Sequence, residues 1–134
     1  MAETCGDAAR RGQKMGFDAV ELHCSHGCLI ARFLSGHANK RTDEFGGSLH
    51  DRMRFLRLIL RDIRGKCGND FPIIIRISGS EMIMGGLTVH EADVQKNLFF
   101  ESERVDTAST LVYNAAIDIV STVACEDAER RRNV

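Results

Sequence analysis

Apolar and polar positions change period several times along the chain, and each change marks an element. From Thr4 to Met15 the spacing suits a helix, with Thr4 and Asp7 as a capping box and Gly16 as its stop. A strand-like run begins at about Phe17 and carries Ala19, Val20 and Leu22 to a polar loop, His23 to Gly27. Leu29 to Leu34 is a short amphipathic piece. The polar stretch after it, ending in Gly46-Gly47, is long for a compact domain and predicts a functional or structural clamp. Ser48 and Asp51 form a second capping box. Met53, Leu56, Ile59, Leu60 and Ile63 then share one face of a helix from Leu49 to about Arg64, with arginines on the other face and Gly65 and Gly68 to end it. Phe71 to Ser78 is nearly continuous and β-branched, the mark of a strand covered on both sides. Thr88 and Glu91 start a third helix that runs to about Ser102, and Val105 to Val112 is a weaker strand.

This alternation predicts an α/β fold of about three parallel strands, centred near residues 17–23, 71–77 and 105–112, joined by right-handed crossover helices. A complete (β/α)8 barrel takes about 250 residues, so 134 are too few for one. Composition fits an ordinary globular domain, at 43% hydrophobic and 28% charged residues. A net charge of −1 offers no field to attract nucleic acid or an anionic membrane. With no apolar run near eighteen residues and no secretory signal, a cytoplasmic chain is expected. Residues 125–134 read as a charged, frayed tail, leaving 1–124 as the folded segment.

Five cysteines, at 5, 24, 28, 67 and 125, are an odd number without a repeated spacing, so reduced thiols are expected. Cys24 and Cys28 interleave with His23 and His26, which makes a small zinc-binding module one alternative, although no second ligand pair is evident.

Chemistry concentrates where the first strand ends. Two imidazoles there, His23 and His26, can hydrogen-bond a carbonyl oxygen and draw charge off a conjugated double bond; the plainer alternative is a satisfied loop histidine. Arg76 sits in an isoleucine-rich strand, where a charge is costly unless something anionic meets it, either a ligand or a carboxylate such as Glu21.

Two runs carry a resemblance: Val20-Glu21-Leu22-His23-Cys24-Ser25-His26-Gly27-Cys28-Leu29, and Asn39-Lys40-Arg41-Thr42-Asp43-Glu44-Phe45-Gly46-Gly47-Ser48, followed by Arg52-Met53-Arg54-Phe55. They resemble the flavin oxidoreductases of the old yellow enzyme group, which includes enoate reductases and 2,4-dienoyl-CoA reductases. That family's pattern is close to V-E-I-H-x-A-H-G-Y-L, then S-N-x-R-T-D-x-Y-G-G-S and R-M-R-F. The resemblance is dense from about Ala8 to Thr88 and thins after it, with a departure at Thr107-Ala108-Ser109-Thr110. It implies a partial TIM barrel, approximately strands four to six, and hence a fragment of a larger enzyme.

The resemblance further implies FMN as cofactor, NAD(P)H as donor and a small enone or enoate as substrate. His23 and His26 would hold the substrate carbonyl, and Arg76 would reach the flavin N1 and C2 carbonyl region. Cys28 stands where relatives have the tyrosine that protonates the substrate α-carbon. A thiol, with an ordinary pKa near 8.5 against about 10 for tyrosine, is acidic enough but shorter in reach; a buried packing role is its alternative. Asn114, placed just after the last strand, would contact substrate. The Asn39 to Ser48 run looks structural, with Arg41 and Asp43 pairing across the loop. The phosphate-gripping loops after strands seven and eight have no counterpart, so the chain alone is expected neither to hold FMN tightly nor to reduce alkenes. A different class of reading is a non-catalytic module that self-associates through exposed sheet edges.

Overall fold

The structure is a computed structural model that describes residues 1–103, 107–114 and 117–124, with side chains described up to Phe99. In chain order the elements are α1 (Ala2–Lys14), β1 (Val20–Cys24), α2 (Leu29–Leu34), α3 (Leu49–Arg52), α4 (Arg54–Cys67), β2 (Ile73–Ser80), α5 (Val89–Glu103), β3 (Thr107–Asn114) and β4 (Ile117–Ala124). They form one sheet in the order β1-β2-β3-β4. The first three strands are parallel, as their β-branched runs and intervening helices predict.

A fourth strand joins the three expected. β4 runs antiparallel to β3, with Thr107 opposite Ala124 and Asn114 opposite Ile117. Only Ala115 and Ala116 separate the two strands in sequence. A parallel return needs a dozen or more residues, which two do not supply. Asn114 is consequently the last residue of β3, not part of a loop beyond it. The expected tail, 125–134, lies outside the described residues.

The core sits between the sheet and one layer of helices. Leu22 and Cys24 of β1 and Ile73, Ile75 and Ile77 of β2 join Leu56, Ile59, Leu60 and Ile63 of α4 in one buried cluster. Each isoleucine so buried contributes about 1.5–3 kcal/mol. Alternation along a strand sends the residues between them to the opposite face, so His23 and Arg76 project away from the helices.

Two helix expectations change. α1 begins at Ala2 with no side-chain cap, placing Thr4 inside the helix, and Asp7 meets Lys66 Nζ at 2.7 Å instead of closing a capping box. The single helix from Leu49 becomes α3 and α4, interrupted at Met53. Met53 nonetheless donates to the Leu49 carbonyl and accepts from Arg57, so the ladder continues through the break. The capping boxes at Ser48 and Thr88 form, with Asp51 N donating to Ser48 Oγ at 3.2 Å and Glu91 N to Thr88 Oγ1 at 3.2 Å. Among the described residues no helix is long and apolar enough to cross a membrane.

Candidate functional site

The site begins where β1 stops. Ser25, His26 and Gly27 turn the chain through two successive left-handed residues, His26 at φ +57° and Gly27 at φ +71°. Glycine takes that conformation freely, and histidine is among the side chains that tolerate it. Cys28 N donates to the Ser25 carbonyl at 3.2 Å and closes the turn, and Cys28 then caps α2 with an extended backbone. This folds His26 back toward β1, leaving the His23 and His26 ring centroids 5.0 Å apart and tilted by 54°.

Strand register adds the third member. His23 lies directly across from Arg76 in the parallel β1/β2 ladder, and neighbouring strands run about 4.8 Å apart. Paired positions point to the same face, so the imidazole and the guanidinium stand side by side on the sheet face away from the helices. Both are partly buried, whereas His26 is exposed. β1 ends one residue after His23, while β2 continues four residues past Arg76 to Ser80. No described residue forms an ion pair with Arg76; Glu21, the expected alternative partner, lies opposite Ile74 and is exposed.

The other candidates separate from this group. Cys24 points into the core on the face opposite His23, 1% exposed, and burial pushes its thiol pKa far up. Strand alternation puts Cys24 and His23 on opposite faces of the sheet, so the two cannot share one metal ion, and this geometry counts against the zinc reading. Among the described residues no three His, Cys, Asp or Glu side chains gather to hold a metal. Cys28 is exposed, which corrects the packing role considered for it. The side chain of Asn114 lies outside the described residues.

Two loops are held by side-chain hydrogen bonds. In the first, the 39–48 run, Asn39 Nδ2 donates to the carbonyls of Phe33 and Phe45, each at 2.7 Å, and its Oδ1 accepts from Arg41 N at 3.1 Å. Arg41 grips Asp43 through both nitrogens, Nε at 2.9 Å, holding the Asp43 carboxyl below the usual carboxylate range. Gly46 is obligatory: a Cβ there would lie 2.1 Å from the Arg41 carbonyl oxygen. The second loop leaves β2, where Glu81 Oε2 accepts from Ser35 Oγ and from Leu87 N, both at 2.6 Å.

Arg52 ties α2 to α5. Expected on the solvent face, it is buried, donating to the Leu34 carbonyl at 2.5 Å and to Glu91 Oε1 at 2.6 Å. It thereby joins the end of α2 to the start of α5. Sequence reasoning missed Arg52, Asn39, Glu81 and the buried Ser25 as structural partners. Arg52 and Asn39 fall within the quoted runs, but nothing local marks their burial.

The family pattern of the NADH:flavin oxidoreductases and NADH oxidases matches residues 1–132. The chain belongs to this family. That is the group of the old yellow enzymes, and the fold is accordingly a segment of a (β/α)8 barrel. An NADH oxidase of Thermoanaerobacter brockii is 46% identical over 85 residues, covering 63% of this chain and 13% of that protein. An NADPH dehydrogenase of Geobacillus thermodenitrificans is 40% identical over 115 residues, covering 84% and 33%. A 2-naphthoyl-CoA reductase, solved with 2-naphthoyl-CoA, superposes with a TM-score of 0.79 at 39% identity, over 83% of this chain and 17% of that one. The chain thus spans between 13% and 33% of the length of these two curated relatives. FMN with NAD(P)H as electron donor is the cofactor set of this family.

Proposed function

We propose that this chain forms part of the active-site wall of an FMN-dependent ene-reductase, which moves a hydride from NAD(P)H to an activated, α,β-unsaturated alkene. The observation that carries this reading is the β1/β2 register, which sets His23 beside Arg76 on the sheet face turned away from the helices. Arg76 fits the electronegative edge of a flavin, because it is a half-buried guanidinium with no described carboxylate to neutralise it. Bound FMN supplies the hydride. His23 and His26, with rings 5.0 Å apart, hydrogen-bond the substrate carbonyl oxygen and stabilise the negative charge that gathers there as the β-carbon is attacked. Cys28, exposed at the start of α2, stands at the tyrosine position of the family pattern as the proton donor to the α-carbon, with water as the competing source. A relative solved with an aromatic acyl-CoA supports an enoate or enoyl thioester as the substrate class.

The chain by itself is proposed to bind FMN weakly and to be inactive, since the phosphate-gripping loops of a barrel follow its last two strands. Fluorescence quenching of FMN by the purified chain is the test. Dissociation constants of tens of micromolar or weaker are expected, rising at least tenfold in Arg76→Met and unchanged in His23→Ala. Submicromolar binding indifferent to Arg76, or NAD(P)H-dependent alkene reduction by the chain alone, overturns the reading.

One observation favours a second function, self-association. β1 is an edge strand, and between its open side and α1 lies a cavity of about 400 Å³ lined mainly by apolar residues, among them Cys5, Ala8, Phe17, Val20 and Phe71. An unpaired edge beside an apolar groove can pair with a second copy. Sedimentation velocity across a concentration series separates the two: a monomer throughout removes this reading.

A further inference from the structure

We propose that Ser25 is a positioning residue for His23, its hydroxyl donating to Nδ1 and so holding the neutral ring in the tautomer that carries its proton on Nε2. Ser25 is fully buried, and its Oγ lies 3.4 Å from His23 Nδ1. Among the described residues that nitrogen is the hydroxyl's one hydrogen-bond partner. A buried O–H left without an acceptor costs more than an oxygen lone pair left without a donor. With a single partner, the hydroxyl therefore donates, and Nδ1 must be the unprotonated nitrogen that accepts. The proton is then on Nε2.

The spacing enforces the pairing. Ser25 follows the last residue of β1, two positions after His23, where the chain begins the turn closed by Cys28 N on the Ser25 carbonyl. The backbone thus anchors Ser25 on the side of its carbonyl while the strand anchors His23, so neither partner needs ordering to meet the other. The family pattern quoted above has alanine at this position, which cannot supply the contact. This chain sets the tautomer before substrate arrives, and an Nε2–H is the donor a carbonyl oxygen requires. Only this last consequence rests on the function proposed above; the tautomer does not.

Long-range ¹H–¹⁵N correlation spectra of the ¹⁵N-labelled full chain, recorded without flavin or substrate where imidazole is neutral, read the tautomer directly. His23 is expected to be predominantly Nε2–H. At 3.4 Å the bond sits at the weak end of the range, so Ser25→Ala should move the ratio roughly two- to fivefold toward Nδ1–H, with His26 unchanged. Ser25→Thr should restore the original ratio. A wild-type ring that is mainly Nδ1–H overturns the proposal without any variant, which keeps it testable even if Ser25→Ala fails to fold. An unchanged ratio in folded Ser25→Ala also overturns it. A Ser25-dependent tautomer in a chain whose FMN binding ignores Arg76 supports this inference while counting against the proposed function.

Discussion

Replacing Arg52 by methionine removes a buried charge while keeping an unbranched side chain of similar length. Arg52 is 7% exposed and Glu91 25%. Two charge-assisted bonds disappear, to the Leu34 carbonyl and to Glu91 Oε1. Breaking a fully buried ion pair by removing one partner costs about 3–5 kcal/mol. Glu91 here can recover some hydration through its exposed quarter, and its Oε2 keeps the bond from Thr88 N at 3.1 Å. The Leu34 carbonyl, in contrast, is left at the end of α2 without its donor. The expected loss is about 2–4 kcal/mol, equivalent to roughly 10 °C in Tm for a chain of this size. Urea unfolding of the wild type, Arg52→Met, Glu91→Gln and the double variant measures both the loss and the coupling, expected at about 1–2 kcal/mol. A loss below about 1 kcal/mol, or additive single effects, would refute the idea that this pair clamps α2 to α5.

The same pair predicts acid behaviour. Burial works to raise the Glu91 pKa, but the bonds from Arg52 and Thr88 outweigh it and hold the carboxyl below its usual range. The unfolded chain therefore takes up this proton first, so the contribution is complete at neutral pH and is lost as pH falls from about 4.3 downward through the folded value. Stability against pH should fall less steeply over that interval in Arg52→Met, as unfolding curves between pH 3 and 7 would show. Gly46→Ala, forced against the Arg41 carbonyl, should cost more than about 2 kcal/mol, and a melting temperature within a degree or two of wild type would contradict the close approach. Maleimide labelling read by mass spectrometry should modify exposed Cys28 at once and buried Cys24 roughly a thousandfold more slowly, through unfolding only; equal rates would argue against the placement of Cys24 in the core.

What the sequence determined by itself is what neighbours in sequence decide. The β-branched run at Ile73–Ile77 dictated a covered strand, the spacing of Leu56, Ile59, Leu60 and Ile63 dictated the buried face of α4, and the caps at Ser48 and Thr88 need a partner only three residues away. The family was equally legible, since the His23–Gly27 and Asn39–Ser48 runs are contiguous. Tertiary structure decided the rest, because the deciding partner lies far along the chain. Thr4 lost its capping box when Asp7 met Lys66, and Arg52 left the solvent face for Leu34 and Glu91. His23 and Arg76 are 53 positions apart and become neighbours through strand register alone. Side-chain periodicity reports which face a residue occupies; only the pairing of strands and the packing of helices says what else shares that face.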